Sequence, residues 1–94
     1  MGEDQRTTRQ WIDEVTFVEA RVIRLSQPVE GSNHPYKYSL ALVVAGECIL
    51  RYDNERGKGD HKHEGKDESD YVFTTLSQLL SDFKADVRRV LKNE

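Results

Sequence analysis

The stretch Arg51 to Gly65, RYDNERGKGDHKHEG, carries the side chains best suited to chemistry. His61 and His63 stand one residue apart, with Asp60, Lys58 and Lys62 around them and Gly57 and Gly59 just before. Imidazole titrates near neutrality, so one histidine can accept a proton while another donates one. A guanidinium or ammonium nearby stabilises charge gathering on a phosphate. This set suits metal-independent cleavage of RNA, in which one imidazole removes the 2′-hydroxyl proton and the other protonates the leaving oxygen; no cofactor is needed. On that reading His61, His63 and Arg51 are catalytic, and Lys37, Lys58 and Lys62 bind substrate. The same atoms allow a second chemistry. In an extended segment side chains two apart share a face, so His61 and His63 can both reach a divalent metal, with Asp53, Asp60 or His34 completing the shell. A third reading leaves the 57–65 loop a non-catalytic module that binds RNA, a metal or a protein, and the spacing alone decides among none of these. GKG lacks the Walker arrangement and opens no helix, which sets nucleotide hydrolysis aside.

Such a loop needs a platform. Tyr36, Tyr38, Leu40, Leu42 and Val44 alternate with Lys37, Ser39, Ala41 and Val43, which predicts a strand, and Glu47 to Asp53 alternates too. Gly46 suits the left-handed position of a three-residue hairpin loop, Val44, Ala45 and Gly46. That loop sets Leu42 opposite Cys48, Leu40 opposite Leu50 and Tyr38 opposite Tyr52, with Lys37 meeting Asp53 and Ser39 meeting Arg51 on the other face. Upstream, Val18, Ala20 and Val22 against Glu19 and Arg21 predict a half-buried strand within Val15 to Leu25, bulged near Ile23 where the alternation breaks. Gln27 to Pro35 then reads as a loop, with His34 solvated near its end.

Residues 1–14 form a polar segment with a frayed start, in which burial of Trp11 and Ile12 would pin a short helical turn or a strand lead-in. Residues 15–94 make a single α+β domain. Asn54 to Ser69 contains no apolar side chain and reads as solvated loop; Asp70 to Phe73 supplies a short strand. Thr75 with Gln78 has the form of a capping box. Leu76, Leu79, Leu80, Phe83, Val87, Val90 and Leu91 follow at helical spacing, one stripe down a helix about five turns long. The expected fold is therefore a small antiparallel sheet of three to four strands, packed by a long C-terminal amphipathic helix on the Tyr38, Leu40, Leu50 and Tyr52 face. The histidine loop would fold over the polar face, beside Lys37, Ser39, Arg51 and Asp53.

Ninety-four residues suit one core, and a net charge of -3 argues against indiscriminate coating of nucleic acid without excluding a local basic patch. The single cysteine, Cys48, cannot pair internally and lies in an apolar run, so it reads as a small buried hydrophobe in a reducing compartment. No apolar run approaches the roughly 18 residues of a membrane span, and the first ten residues lack a hydrophobic signal region. A cytoplasmic protein with no membrane partner is expected.

The segment HPYKYSLALVVAGECILRYDNERGKGDHKHEG, followed by YVFTTLSQLLSDFKADV, resembles the TumE-type toxins of prokaryotic toxin–antitoxin modules. The likeness runs from His34 to Val87 and is most specific where RYDN stands at Arg51–Asn54 and GKGDH at Gly57–His61, with the second histidine at His63. The resemblance implies the toxin component of such a module, partnered by a helix-turn-helix antitoxin. The short polar N-terminus departs from longer members. A homo-oligomer stays open.

Overall fold

The computed structural model describes residues 4–92. Six strands come in chain order, β1 (Asp4–Trp11), β2 (Thr16–Arg24), β3 (Tyr36–Val44), β4 (Glu47–Glu55), β5 (Gly59–Glu64) and β6 (Asp67–Asp70), and helix α1 (Leu76–Lys92) closes the chain. The strands pair each with the next in one antiparallel sheet. The α+β class and the closing helix are as expected; the count of three to four strands is corrected to six. The extra strands carry no apolar alternation. In β5 and β6 every side chain is polar or absent, and in β1 only Trp11 is large and apolar, so the hydrophobic period that betrays a strand is missing there.

Alternation does set the core. Tyr38, Leu40, Leu42, Leu50 and Tyr52 lie on one face of β3 and β4 and meet Leu79, Phe83 and Val87 of α1, all eight at most 8% exposed. Each such side chain stabilises the fold by about 1.5–3 kcal/mol through burial. The helix starts as read: the Gln78 N–H donates to Thr75 Oγ1 at 3.0 Å. Only half of the capping box forms, because the Gln78 amide donates forward to Asp82 at 2.7 Å.

The hairpin register differs from expectation. The turn has two residues, Ala45 and Gly46, both at positive φ (50° and 83°), and Val44 pairs with Glu47. Positive φ at both central positions matches the twist of the flanking strands. A bulge then falls between Leu42 and Val43, leaving Ile49 unpaired, so that Leu42 meets Leu50, Leu40 meets Tyr52 and Ser39 meets Asp53. The turn and the bulge together keep the expected residues on the core face while sliding their partners along. No bulge occurs near Ile23, where β2 pairs continuously with β3.

Other local expectations are also corrected. Cys48 is exposed, because the bulge beside it sets it opposite Val43, off the core face. Trp11 and Ile12 remain 55% and 48% exposed; Trp11 rests on the Phe17 ring, with centroids 4.8 Å apart. Of the polar segment 1–14, residues 1–3 lie outside the described part. The strand expected over Asp70 to Phe73 ends at Asp70, after which an irregular run lays Tyr71 against Tyr52 and Phe73 against His34 on the way into α1. No helix among the described residues is long and apolar enough to cross a membrane.

Candidate functional site

The period of two continues through the polar hairpin β4–β5 and decides which side each charged group takes. Asp60, Lys62 and Glu64 point to the helix side, where Lys62 Nζ meets Asp86 at 3.2 Å and Glu64 takes Arg89 at 2.6 Å. His61 and His63 point to the open side, together with Arg51 and Asp53 of β4, which pair across with His63 and His61. The stretch expected as a solvated loop is thus a paired ribbon with two chemically distinct faces.

On the open face, among the described residues, four buried side-chain atoms have no hydrogen-bond partner: Arg51 Nε, Asp53 Oδ1, His61 Nε2 and His63 Nε2. They converge. His61 Nε2 lies 2.9 Å from Asp53 Oδ1, His63 Nε2 lies 3.9 Å from the same oxygen, and Arg51 Nε lies 3.0 Å from Asp53 Oδ2, none aligned for a hydrogen bond. The two imidazole rings meet edge to face with centroids 4.9 Å apart. Glu68 Oε2 stands 3.7 Å from His61 and 3.8 Å from His63, and Glu55 Oε1 stands 3.7 Å from His61. His61 Nδ1 faces the Gly59 carbonyl at 3.2 Å. A carbonyl only accepts, so Nδ1 carries the hydrogen and a neutral His61 presents a lone pair at Nε2 toward Asp53.

Of the residues expected to act, the structure brings together Arg51, His61 and His63. Lys37 lies on the same face, its ammonium donating to the Asn54 carbonyl. Lys58 sits in the exposed turn between β4 and β5. Lys62 is on the opposite face with Asp86 and does not join the cluster. Asp53, expected as one possible metal ligand, joins the cluster, and Glu68 enters as a new member. Asp53 was visible as the continuation of the Arg51 face, whereas Glu68 depends on a strand whose residues show no hydrophobic period.

A second polar centre holds this ribbon in place. His34, expected to be solvated, is 6% exposed and stacks on Phe73 with ring centroids 3.7 Å apart. Its Nδ1 accepts from the Tyr36 N–H at 3.2 Å, which leaves Nε2–H to donate to Asp60 Oδ2 at 2.7 Å. The Asp60 carboxylate also accepts from Tyr38 Oη at 2.7 Å and Ser32 Oγ at 3.1 Å. Burial and that carboxylate push the Tyr38 phenol well above its ordinary pKa, so it stays a donor. Asn54, fully buried, donates to the Tyr36 carbonyl at 2.7 Å and accepts from the Tyr38 N–H at 3.0 Å. Backbone meets backbone as well. Gly31 and Gly59, at φ 94° and 76°, approach so closely that a Cβ on Gly59 would stand 2.9 Å from the Gly31 carbonyl oxygen. Gly59 is therefore a packing position that fixes the start of β5, two residues before His61.

Fold and site define a small α+β protein with one sheet face packed by a helix and the other offering a carboxylate, two imidazoles and a guanidinium at one point. The family Toxin TumE matches residues 2–91, nearly the whole chain, and the chain belongs to that family. None of the curated proteins and none of the solved structures matches it.

Proposed function

We propose that this toxin is one half of a toxin–antitoxin module and acts on RNA in the cytoplasm, cleaving it at the Arg51, Asp53, His61 and His63 cluster. The observation that carries the reading is the convergence of four buried polar side-chain atoms left without partners, the four such atoms among the described residues. Unpaired buried groups cost about 1–3 kcal/mol each, and proteins keep them where a ligand or substrate completes the set.

The geometry gives the two imidazoles unequal places. His61, whose side chain is 4% exposed, lies beneath the surface; His63, at 26%, faces the approach. A symmetrical acid–base pair gives way to a layered centre. In cleavage the ribose 2′-oxygen attacks phosphorus and loses its proton, the bond from phosphorus to the 5′-oxygen breaks, and that oxygen gains a proton. His63 and the half-exposed Glu55 and Glu68 line the side where those protons move. Arg51, 41% exposed, faces the non-bridging oxygens, and Lys37 adds charge beside it.

The antitoxin takes the other side of the sheet. There α1 leaves a cleft of about 810 Å³ over β1 and β2, floored by Val18, Ala20 and Val22 and walled by Leu76, Leu80 and Phe83. Arg6, Arg24, Lys84 and Arg88 rim it, and among the described residues none of these four forms an ion pair. An apolar cleft with a cationic rim fits an acidic amphipathic segment.

The experiment is induction in cells with total RNA followed over time. The wild-type chain stops growth and fragments RNA, and the double variant His61→Ala, His63→Ala does neither. Growth arrest with intact RNA would overturn the RNA reading, leaving a toxin that acts by binding.

A further inference from the structure

We infer that the cluster is a binding site for a divalent transition-metal cation, held by Asp53 Oδ1, His61 Nε2 and His63 Nε2. The inference rests on reading the same cluster as the working centre and adds what completes it.

Three observations carry it. The donor atoms of Asp53, His61 and His63 lie within 4.8 Å of one another. Ligands about 2.0–2.1 Å from a tetrahedral cation stand roughly 3.3 Å apart. The separations of 2.9 Å and 3.9 Å from Asp53 Oδ1 to the two imidazoles bracket that value. Second, the orientation is that of ligands. His61 Nε2 is buried, aimed into the cluster and without a hydrogen-bond partner, while its Nδ1–H is spent on the Gly59 carbonyl. Such a backbone bond is the usual way to hold a metal-binding imidazole with its lone pair forward. Without a cation or a proton between them, that lone pair opposes a carboxylate oxygen at 2.9 Å. Third, charge favours a cation. Asp53, Glu55 and Glu68 set three carboxylates around the imidazoles, against Arg51 and Lys37. Three carboxylates against two cations leave one net negative charge, and a divalent ion reverses that sign and adds to the pull of Arg51 on an RNA backbone.

Two imidazoles and one carboxylate suit Zn²⁺, Mn²⁺ or Fe²⁺ better than the all-oxygen shells that Mg²⁺ prefers. Three protein ligands leave a fourth position toward the open side, next to Arg51, where water or a phosphate oxygen can bind. With the cation in place His63 is a ligand, and the proton traffic falls to Glu55 and Glu68.

The test uses the full chain, stripped by chelator and titrated with Zn²⁺ or Mn²⁺ by calorimetry, with Mg²⁺ as comparison. The result expected is one transition cation per chain, a raised unfolding temperature on binding, and an affinity loss of about 100-fold or more in both Asp53→Asn and His63→Gln. Circular dichroism establishes that each variant is folded, and His63→Gln keeps a polar group at a partly exposed position. Absence of stoichiometric binding, or binding unchanged in both folded variants, overturns the site. The two readings fail separately. Cleavage of RNA by the chelated protein sinks the metal inference and leaves the RNA reading standing; a bound cation with RNA intact at saturating Zn²⁺ and Mn²⁺ supports the site and sinks the RNA reading.

Discussion

His34 Nε2 and Asp60 Oδ2 meet at 2.7 Å in a setting where both side chains are under a tenth exposed. The contact joins the loop before β3 to the second residue of β5, and so ties the histidine strand to the core. Asp60→Ala strands three donors, from Ser32, His34 and Tyr38, inside the protein. Removing one partner from a buried charged network costs about 3–5 kcal/mol. Urea unfolding should show the midpoint falling accordingly with the slope unchanged; a loss under about 1 kcal/mol would mean the network is dispensable.

Gly59→Ala tests the close backbone approach. The new Cβ would sit 2.9 Å from a carbonyl oxygen, at φ 76°, whereas Gly46→Ala, at φ 83°, meets nothing within 4 Å. Both carry the left-handed penalty of about 1–2 kcal/mol, and Gly59→Ala adds a clash that backbone must absorb. Thermal unfolding should rank Gly59→Ala as the more damaging of the two. Equal losses would show that Gly31 yields freely.

Acid sensitivity should trace to Asp86. Burial alone would raise its carboxyl, but hydrogen bonds from Tyr52 and Lys62, with the Lys62 and Arg89 charges, hold it below the usual value of 3.8. A carboxylate with a depressed folded pKa binds fewer protons folded than unfolded. Its contribution is complete above the unfolded value and is lost as pH falls through the folded one. Stability measured from pH 6 to pH 2.5 should fall more steeply for the wild type than for Asp86→Asn below about pH 4. Parallel curves would exclude this linkage.

Much of this architecture can be read from residue order, and the limits have physical causes. The Tyr38, Leu40, Leu50 and Tyr52 face was legible because one side of the β3–β4 hairpin is dry, and α1 because its stripe recurs at helical spacing behind a Thr75 cap. β5 and β6 were not, since both their faces carry charge and alternation of polar with polar leaves no mark. The register slid because Ala45 accepts a left-handed φ of 50° that composition does not advertise, with the bulge at Ile49 adding one residue back. The histidine segment was found by residue type, and its neighbours Arg51 and Asp53 by the alternation of β4, but the rest of its surroundings was not: Glu68 reaches the imidazoles only through the β5–β6 pairing, and Lys62 is lost to the other face by one step of the pleat.

The cleft proposed to take the antitoxin makes a prediction about association alone. The double reversal Lys84→Glu, Arg88→Glu should weaken antitoxin binding at least tenfold through like-charge contact, and leave toxicity of the free chain unchanged. Unaltered affinity would place the partner elsewhere.

Arg51→Ala should reduce RNA cleavage by about 10²–10³-fold, with Arg51→Lys recovering part of it, as expected of a group that stabilises phosphate charge. An unaffected rate in Arg51→Ala would remove Arg51 from the centre.

The claim that the open-face cluster makes this chain a toxin is tested most directly by Asp53→Asn, which changes one buried oxygen for a nitrogen at nearly constant shape. Viable counts after induction should collapse for the wild type and stay at the empty-vector level for the variant, at matched amounts of folded protein. Equal killing by the folded variant would contradict the account.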